Sequence, residues 1–330
     1  MDKLDILLKV EDLRKYFEVN RNFVEKIFLR RRELIRAVDG VSFDIATGET
    51  LGVIGESGSG KTTLGKLILK LLEPDSGKIL FKGEDITFLS GEKLRRMRKS
   101  FQVIFGETNS LNPYMTVGEA VRHPLIIHGI GTEREQKVKV FKMFERLGLS
   151  PPDGFYYKYP NELSGWQKQK VAIARALILK PSFVLVDDPL SMLDVTVKSK
   201  LLKLLIELKK DFNLTYLFIT RDLPSAKYVC DRISVMYMGR MVEIGRLKDV
   251  YLYPAHPYTK ALLSSIPIPD PSAKIEGLLS GERVFNYVKV FSGCGFCPRC
   301  PFAKDVCFSK EPALVEVASG HYVACHFPLR

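Results

Sequence analysis

No stretch of this 330-residue sequence approaches the ~18 consecutive apolar residues of a membrane span. Its first residues, MDKLDILLKVEDL, lack the charged, apolar and small segments of a secretory signal, so the chain is expected to be made and kept in the cytosol. Internal repeats and low-complexity runs are missing too, which excludes a repeat array. Cysteine is scarce until the end: five of the six lie at or beyond Cys294, while Cys230 stands alone in an apolar setting. A cytosolic chain does not rely on disulfides, so a terminal cysteine cluster points to a metal. What is plentiful is apolar and basic. The 46% hydrophobic content suffices for one large domain, or a medium one with an appendage. The net charge of +12 suits an anionic partner, nucleic acid or a membrane surface, and serves equally as plain solubility.

Hydrophobic periodicity alternates along the chain. LLKVEDLRKYF and AVDGVSFDI read as strands, separated by the basic stretch NRNFVEKIFLRRRELIR, a loop or short helix able to touch lipid headgroups. From TLGVIG onward short apolar strands (FQVIF, FVLVD, TYLFI, RISVMYMG) alternate with helical patterns (LGKLILKLL, WQKQKVAIARALI, VKSKLLKLLIELKKDF). Such alternation implies a mostly parallel sheet covered by helices. Between FQVIF and Leu163 the pattern is mainly helical, which predicts a helical subdomain over about 107–162. Proline density rises after residue 253, so 1–253 is expected as the main domain and 254–330 as a small loop-rich extension.

GESGSGKTT, residues 55 to 63, follows an apolar strand and opens an apolar-periodic helix, the context that the G-x-x-x-x-G-K-[ST] pattern demands. Gly55, Gly58 and Gly60, with Ser57 and Ser59 between them, let the backbone curl so that its N–H groups point at phosphates. Lys61 is placed to reach the terminal phosphates, and Thr62, followed by Thr63, to offer a hydroxyl to magnesium. The expected ligands are therefore ATP and Mg2+. Asp187, ending the strand FVLVD, is the matching acidic residue near the metal.

One further block, ELSGWQKQKVAIARALILKPSFVLVDDPLSMLD, resembles the signature-to-acidic-strand segment of ATP-binding cassette (ABC) proteins. FQVIFGETNSLNPYMTVGE resembles their Q-loop region, SMLD their D-loop, and YLFITRDLPSAKYVCDRISVMYMGRMVEIG their switch-histidine region. HPYTKALLSSIP and the cysteine tail resemble the C-terminal extension of the oligopeptide/dipeptide importer branch, so the likeness covers essentially the whole chain. It implies an α/β, P-loop ABC-type nucleotide-binding domain with an inserted helical subdomain and a small Cys-rich C-terminal extension. It also implies that Ser164, Gly165, Trp166 and Gln167 face a nucleotide held by a partner, that Asp194 belongs to the D-loop, and that Tyr16 or Phe17 stacks on adenine.

Several positions depart from the family pattern. The Q-loop glutamine falls on Gly106, with Gln102 too early, inside the strand. The catalytic glutamate falls on Asp188, roughly 1.5 Å shorter. A misplacement of about 1 Å can cost on the order of 100-fold in rate. The switch histidine falls on Arg221, which carries a permanent charge and shuttles no proton at neutral pH, and the second signature glycine is Trp166. Residues that bind are kept while those that activate water are replaced, which reads as a chain that holds nucleotide more than it hydrolyses it.

In the tail, Cys294, Cys300, Cys307 and Cys325 match the family's four cysteines, and Cys297 stands where a histidine is usual. The spacing C-x5-C-x6-C-x17-C is not that of a paired zinc knuckle. The resemblance implies a [4Fe–4S] cluster, while C-x2-C pairs through Cys297 keep Zn2+ open. The expected function is the degenerate ATP-binding subunit of a binding-protein-dependent importer of peptides or oligosaccharides. It would lie peripherally on the cytoplasmic face of the membrane, with a second ABC ATPase subunit, two permease subunits and an extracytoplasmic solute-binding protein, and no nucleic acid. The permease is expected to dock near residues 106 to 130. The alternatives are a soluble ABC ATPase acting on nucleic acid and a fully active transport ATPase.

Overall fold

A computed structural model describes residues 5–18, 34–106, 111–190, 193–266 and 292–329. They form two compact units, Met1–Phe88 with Thr220–Arg330, and Leu89–Ile219. Most of the basic stretch, four residues after Gly106, Ser191 and Met192 of SMLD, and the proline-rich 267–291 lie outside the described residues. The strands in chain order are β1 (Ile6–Glu18), β2 (Leu34–Ala46), β3 (Thr50–Ile54), β4 (Ser76–Phe81), β5 (Glu84–Asp85) and β6 (Phe101–Phe105). Then follow β7 (Phe183–Asp187), β8 (Thr215–Thr220), β9 (Arg232–Tyr237), β10 (Arg240–Arg246), β11 (Val315–Ala318) and β12 (His321–Val323).

The first unit carries an antiparallel sheet in the order β2-β1-β4-β5, and strands in the order β11-β12-β10-β9-β3. On β2, Val41, Phe43 and Ile45 are buried at every second position, the alternation of a sheet with one apolar face. All five residues of β3 are buried, and it pairs in parallel with β9, Leu51 opposite Arg232. A strand covered on both faces needs an apolar run, which LGVI supplies after Thr50. The cysteine tail joins the same unit by backbone pairing: β12 lies antiparallel on β10, with Glu243 opposite Val323. Behind this pairing the buried Glu243 accepts from the backbone N–H groups of Ala255 (2.7 Å) and His256 (2.9 Å), and meets His321 Nε2 at 2.7 Å. A buried carboxylate with three partners is satisfied; without them it would be costly.

The second unit contains three parallel strands in the order β8-β7-β6, with Phe101 opposite Phe183 and Phe183 opposite Thr215. Its helices start where the sequence supplies caps. Thr116 with Glu119, Thr132 with Glu135 and Ser164 with Gln167 each form a reciprocal capping box, and Asp194 accepts from the Val197 N–H. The helix Glu133–Arg146 buries Val140, Met143 and Phe144, three- and four-residue spacing that puts them on one face.

Candidate nucleotide-binding site

The phosphate loop lies in the first unit between β3 and the helix Lys61–Ile68. Gly55 and Gly60 are there because nothing else fits. A Cβ on Gly55 would stand 2.2 Å from the Met236 carbonyl oxygen, and one on Gly60, at φ +103°, would stand 2.0 Å from the Ala37 carbonyl oxygen. Gly58 also has positive φ, 80°, which glycine adopts at no steric cost. Lys61 is buried, and its Nζ donates to the carbonyls of Gly55 and Glu56, both at 2.7 Å, and to Ser59 Oγ at 3.0 Å. Ser57, Gly58 and Thr62 are exposed and Thr63 is half-buried. The arrangement is a backbone cradle at a helix N-terminus with one ammonium tucked beneath it and one hydroxyl open at the first turn, a fit for phosphate oxygens and a hard cation.

Two residues far along the chain, Tyr258 and Arg299, hold this loop through its Glu56. The Glu56 N–H donates to the Tyr258 hydroxyl (2.9 Å), while its carboxylate takes a two-pronged contact from Arg299, Nη1 to Oε2 and Nη2 to Oε1, both 2.9 Å. Glu56 occupies a variable place in the loop pattern, and Arg299 is a lone arginine among cysteines. Beneath them Tyr237, Tyr258 and Phe296 pack ring against ring, with centroids 4.4 to 5.4 Å apart.

Tyr258 is in turn tied to a buried histidine. Its backbone N–H donates to His256 Nδ1 at 3.0 Å, which requires that nitrogen to be unprotonated. Burial pushes His256 down from 6.5 to about 4, against the attraction of Glu243. From about 6.5 down to about 4, then, the unfolded chain takes up a proton that the folded chain refuses, and stability falls as pH falls. Between pH 7 and pH 5 this one group should remove about 2 kcal/mol. Thermal unfolding followed across that window should show the loss, and His256→Asn should flatten it.

Of the two adenine candidates, Tyr16 is half-buried and Phe17 exposed. The Tyr16 hydroxyl donates to Asp39 Oδ1 at 2.6 Å, and its ring lies 5.7 Å from the Arg36 guanidinium. Burial would raise Asp39, but Tyr16 and Arg240 outweigh it and hold the carboxyl below the usual range. Asp39 reaches the loop through its backbone: its N–H donates to Gly239 O, and the Gly239 N–H donates to Ser59 O, at 2.8 and 2.9 Å. Tyr16 is thus a fixed ring linked to the loop, while Phe17 has Lys15 5.9 Å from its ring.

In the second unit Asp187 ends β7 and Asp188 follows it at φ +44°, a left-handed conformation that aspartate tolerates better than longer side chains. Gly106 sits one residue beyond β6, its N–H donating to Asp187 O at 3.0 Å. A Cβ at Gly106 would stand 1.9 Å from the Asp188 carbonyl oxygen. The backbone itself therefore leaves position 106 no side chain, a constraint the sequence did not disclose. Ser164 caps the helix Gly165–Leu177, its Oγ accepting from the Gln167 N–H at 3.3 Å. Trp166 lies one turn from Lys170, whose Nζ is 5.2 Å from the indole centre. Asp194 serves as the cap of the helix Val195–Phe212, and Arg221, in the first unit, is exposed at the end of β8.

The tail cysteines are gathered by backbone contacts: the Cys294 N–H donates to Cys307 O (2.8 Å) and the Cys297 N–H to Cys294 O (3.0 Å). Burial, with the charges of Cys294, Cys300 and Cys307, pushes the Cys325 thiol up to about 11. Burial, with neighbouring thiols, likewise pushes Cys297 up to about 11. Yet among the described residues no three His, Cys, Asp or Glu side chains form a group able to hold a metal ion. The expectation that Cys294, Cys300, Cys307 and Cys325 close on an iron–sulfur cluster or zinc finds no support in this arrangement.

Fold and loop together define a P-loop ATP-binding cassette, and comparison with known proteins agrees. The ABC transporter family matches residues 38–191, and the oligopeptide/dipeptide transporter C-terminal region matches 242–307. The oligopeptide transport ATP-binding protein AppF of Bacillus subtilis is 42% identical over 326 residues, 98% of this chain and 97% of that protein. Among solved structures, the dimeric post-hydrolysis form of the cassette MJ0796, bound to ADP and Pi, is 28% identical with a TM-score of 0.63, covering 73% of this chain and 99% of that one. CbiO1 of Clostridium perfringens, part of the ABC transporter complex CbiONQ, is 29% identical with a TM-score of 0.63 over 75% and 91% of the two chains. The chain belongs to the oligopeptide/dipeptide family of ABC transporter ATP-binding proteins. Binding of ATP with magnesium comes with that membership, and the cradle from Gly55 to Thr62 suits both. No helix among the described residues is long and apolar enough to cross a membrane.

Proposed function

We propose that this chain is the ATP-holding, weakly hydrolysing half of an unlike pair of ATP-binding subunits that powers import of peptides, or of oligosaccharides. The observation that carries the reading is position 106. The carbonyl of Asp188 fills the space a side chain would need, so the glutamine usual in the family has no room. With Asp188 short of the usual glutamate and Arg221 unable to shuttle a proton, water beside this chain's nucleotide lacks its customary partners. The partner ATPase would then hydrolyse ATP on its own phosphate loop, facing Ser164, Gly165 and Gln167 of this chain. Two permease subunits would anchor the pair at the cytoplasmic face, and an extracytoplasmic binding protein would deliver the solute.

The reading makes an asymmetric demand. Ser164 begins a helix whose N–H groups would serve the partner's nucleotide, whereas Asp188 would serve this chain's own. In the assembled complex, Ser164→Ala should lower ATPase activity more than Asp188→Asn. The reverse order would show that this chain's own site does the hydrolysis.

The cysteine tail is proposed, on the family resemblance, to carry a [4Fe–4S] cluster. Protein purified without oxygen should then be brown and contain about four irons. Colourless protein with about one zinc would replace the cluster with zinc, and neither metal would leave the cysteines as packing residues.

A further inference from the structure

We infer that Arg299 is a positioning residue for the phosphate loop, and that through it the cysteine tail and the nucleotide are thermodynamically linked. The inference rests on the reading of residues 55 to 63 as the nucleotide site, and goes beyond it in assigning the tail a part in nucleotide binding. Glu56 lies within the loop and is held from two sides. Its N–H is bound by the Tyr258 hydroxyl, and its carboxylate is gripped at both oxygens by Arg299, at 2.9 Å each. Its carbonyl in turn receives Lys61 Nζ at 2.7 Å. The line from Arg299 to the ammonium that would meet phosphate is therefore one residue long.

Arg299 is fixed from behind as well. It lies in the short turn Cys297–Arg299, its N–H donating to Phe296 O at 2.9 Å. Its guanidinium is 5.7 Å from the ring of Phe296 and 5.9 Å from that of Tyr237, and Phe296 is 1% exposed. A planar fork held on two rings and closed on a carboxylate gives geometry as well as attraction, which a lysine does not reproduce. When the turn around Cys297 is folded, Glu56 is held in one position; when it opens, Glu56 and the carbonyl under Lys61 lose that restraint. Linkage is reciprocal, so nucleotide binding must also favour the closed turn.

The test uses the full-length chain and Mg-ATP. Arg299→Ala and Glu56→Gln should each weaken binding by about 5- to 20-fold, the lower part of the ordinary range of coupling between sites, and the double variant should be no worse than either single one. Arg299→Lys should recover only part of the loss. Amide exchange around residues 294 to 300 should slow when nucleotide binds the wild-type chain and stay unchanged in Glu56→Gln, which alters the loop and not the tail. Should Arg299→Ala unfold the tail, Glu56→Gln alone still decides: unchanged affinity, or exchange still slowed by nucleotide, overturns the linkage. Losses that add in the double variant also overturn it. Lys61→Ala is measured alongside. Binding as tight as wild type there would remove the nucleotide assignment itself, a failure distinct from normal Lys61 dependence with an indifferent Arg299.

Discussion

Lys61→Ala is expected to weaken Mg-ATP binding by at least about 30-fold, since truncating one partner of a buried, hydrogen-bonded charge pair costs about 2–5 kcal/mol. Lys61 is 7% exposed, and three acceptors of its own loop already surround its Nζ. Alanine would leave those acceptors without their donor and any phosphate without its cation. The two effects separate experimentally. Thermal unfolding without nucleotide reads the first, and titration with Mg-ATP reads the sum. Lys61→Arg, which restores charge without the compact ammonium, should recover stability more than affinity. Equal affinity in the alanine variant would sink the loop assignment.

The second large effect concerns Gly106→Gln, the change that would reinstate the family's residue. It is expected to destabilise the chain by about 3 kcal/mol or more and to raise no ATPase activity, because a backbone carbonyl is in the way and something must shift. A Cβ would meet the Asp188 carbonyl oxygen at 1.9 Å and the Asp188 carbonyl carbon at 2.8 Å. Gly106→Ala should destabilise nearly as much, since the clash begins at Cβ. Denaturant unfolding of both variants and ATPase measurement of the complex test this. A stable Gly106→Gln protein with higher turnover would show that the turn yields easily, and that side-chain loss, not backbone geometry, limited hydrolysis.

The elements that sequence made legible are those whose pattern is local. TLGVI and FVLVD read as buried strands because their only polar residues, Thr50 and Asp187, stand at an end, and both are β-strands with buried interiors. The helix starts carry T-x-x-E and S-x-x-Q, a local signal that was not read, and each is a capping box. The strand β10 was not read because Glu243 and Gly245 interrupt its apolar run, and the tail strands β11 and β12 were not read because short strands at a sheet edge carry little periodicity of their own. Pairing across a long sequence separation creates them. The same reason hid Arg299 and Tyr258, whose roles depend on where residue 56 falls in space. Gly106 was legible as a departure from a family pattern, but its cause was not, because the obstruction is a carbonyl that every residue possesses.

The position of β10 between β9 and β12 has a consequence for the nascent chain. Translation delivers β9 and β10 early and β12 among the last residues described, so for an interval the newly made sheet presents a bare edge to any strand nearby. Glu243 waits through the same interval without His321. A product truncated before residue 321 would keep both defects permanently, and with Arg299 also missing it would carry an unbraced phosphate loop if cut before residue 299. Truncated chains of this kind are expected to aggregate or be proteolysed, because the bare strand edge and the carboxylate lacking His321 are both exposed to whatever approaches them.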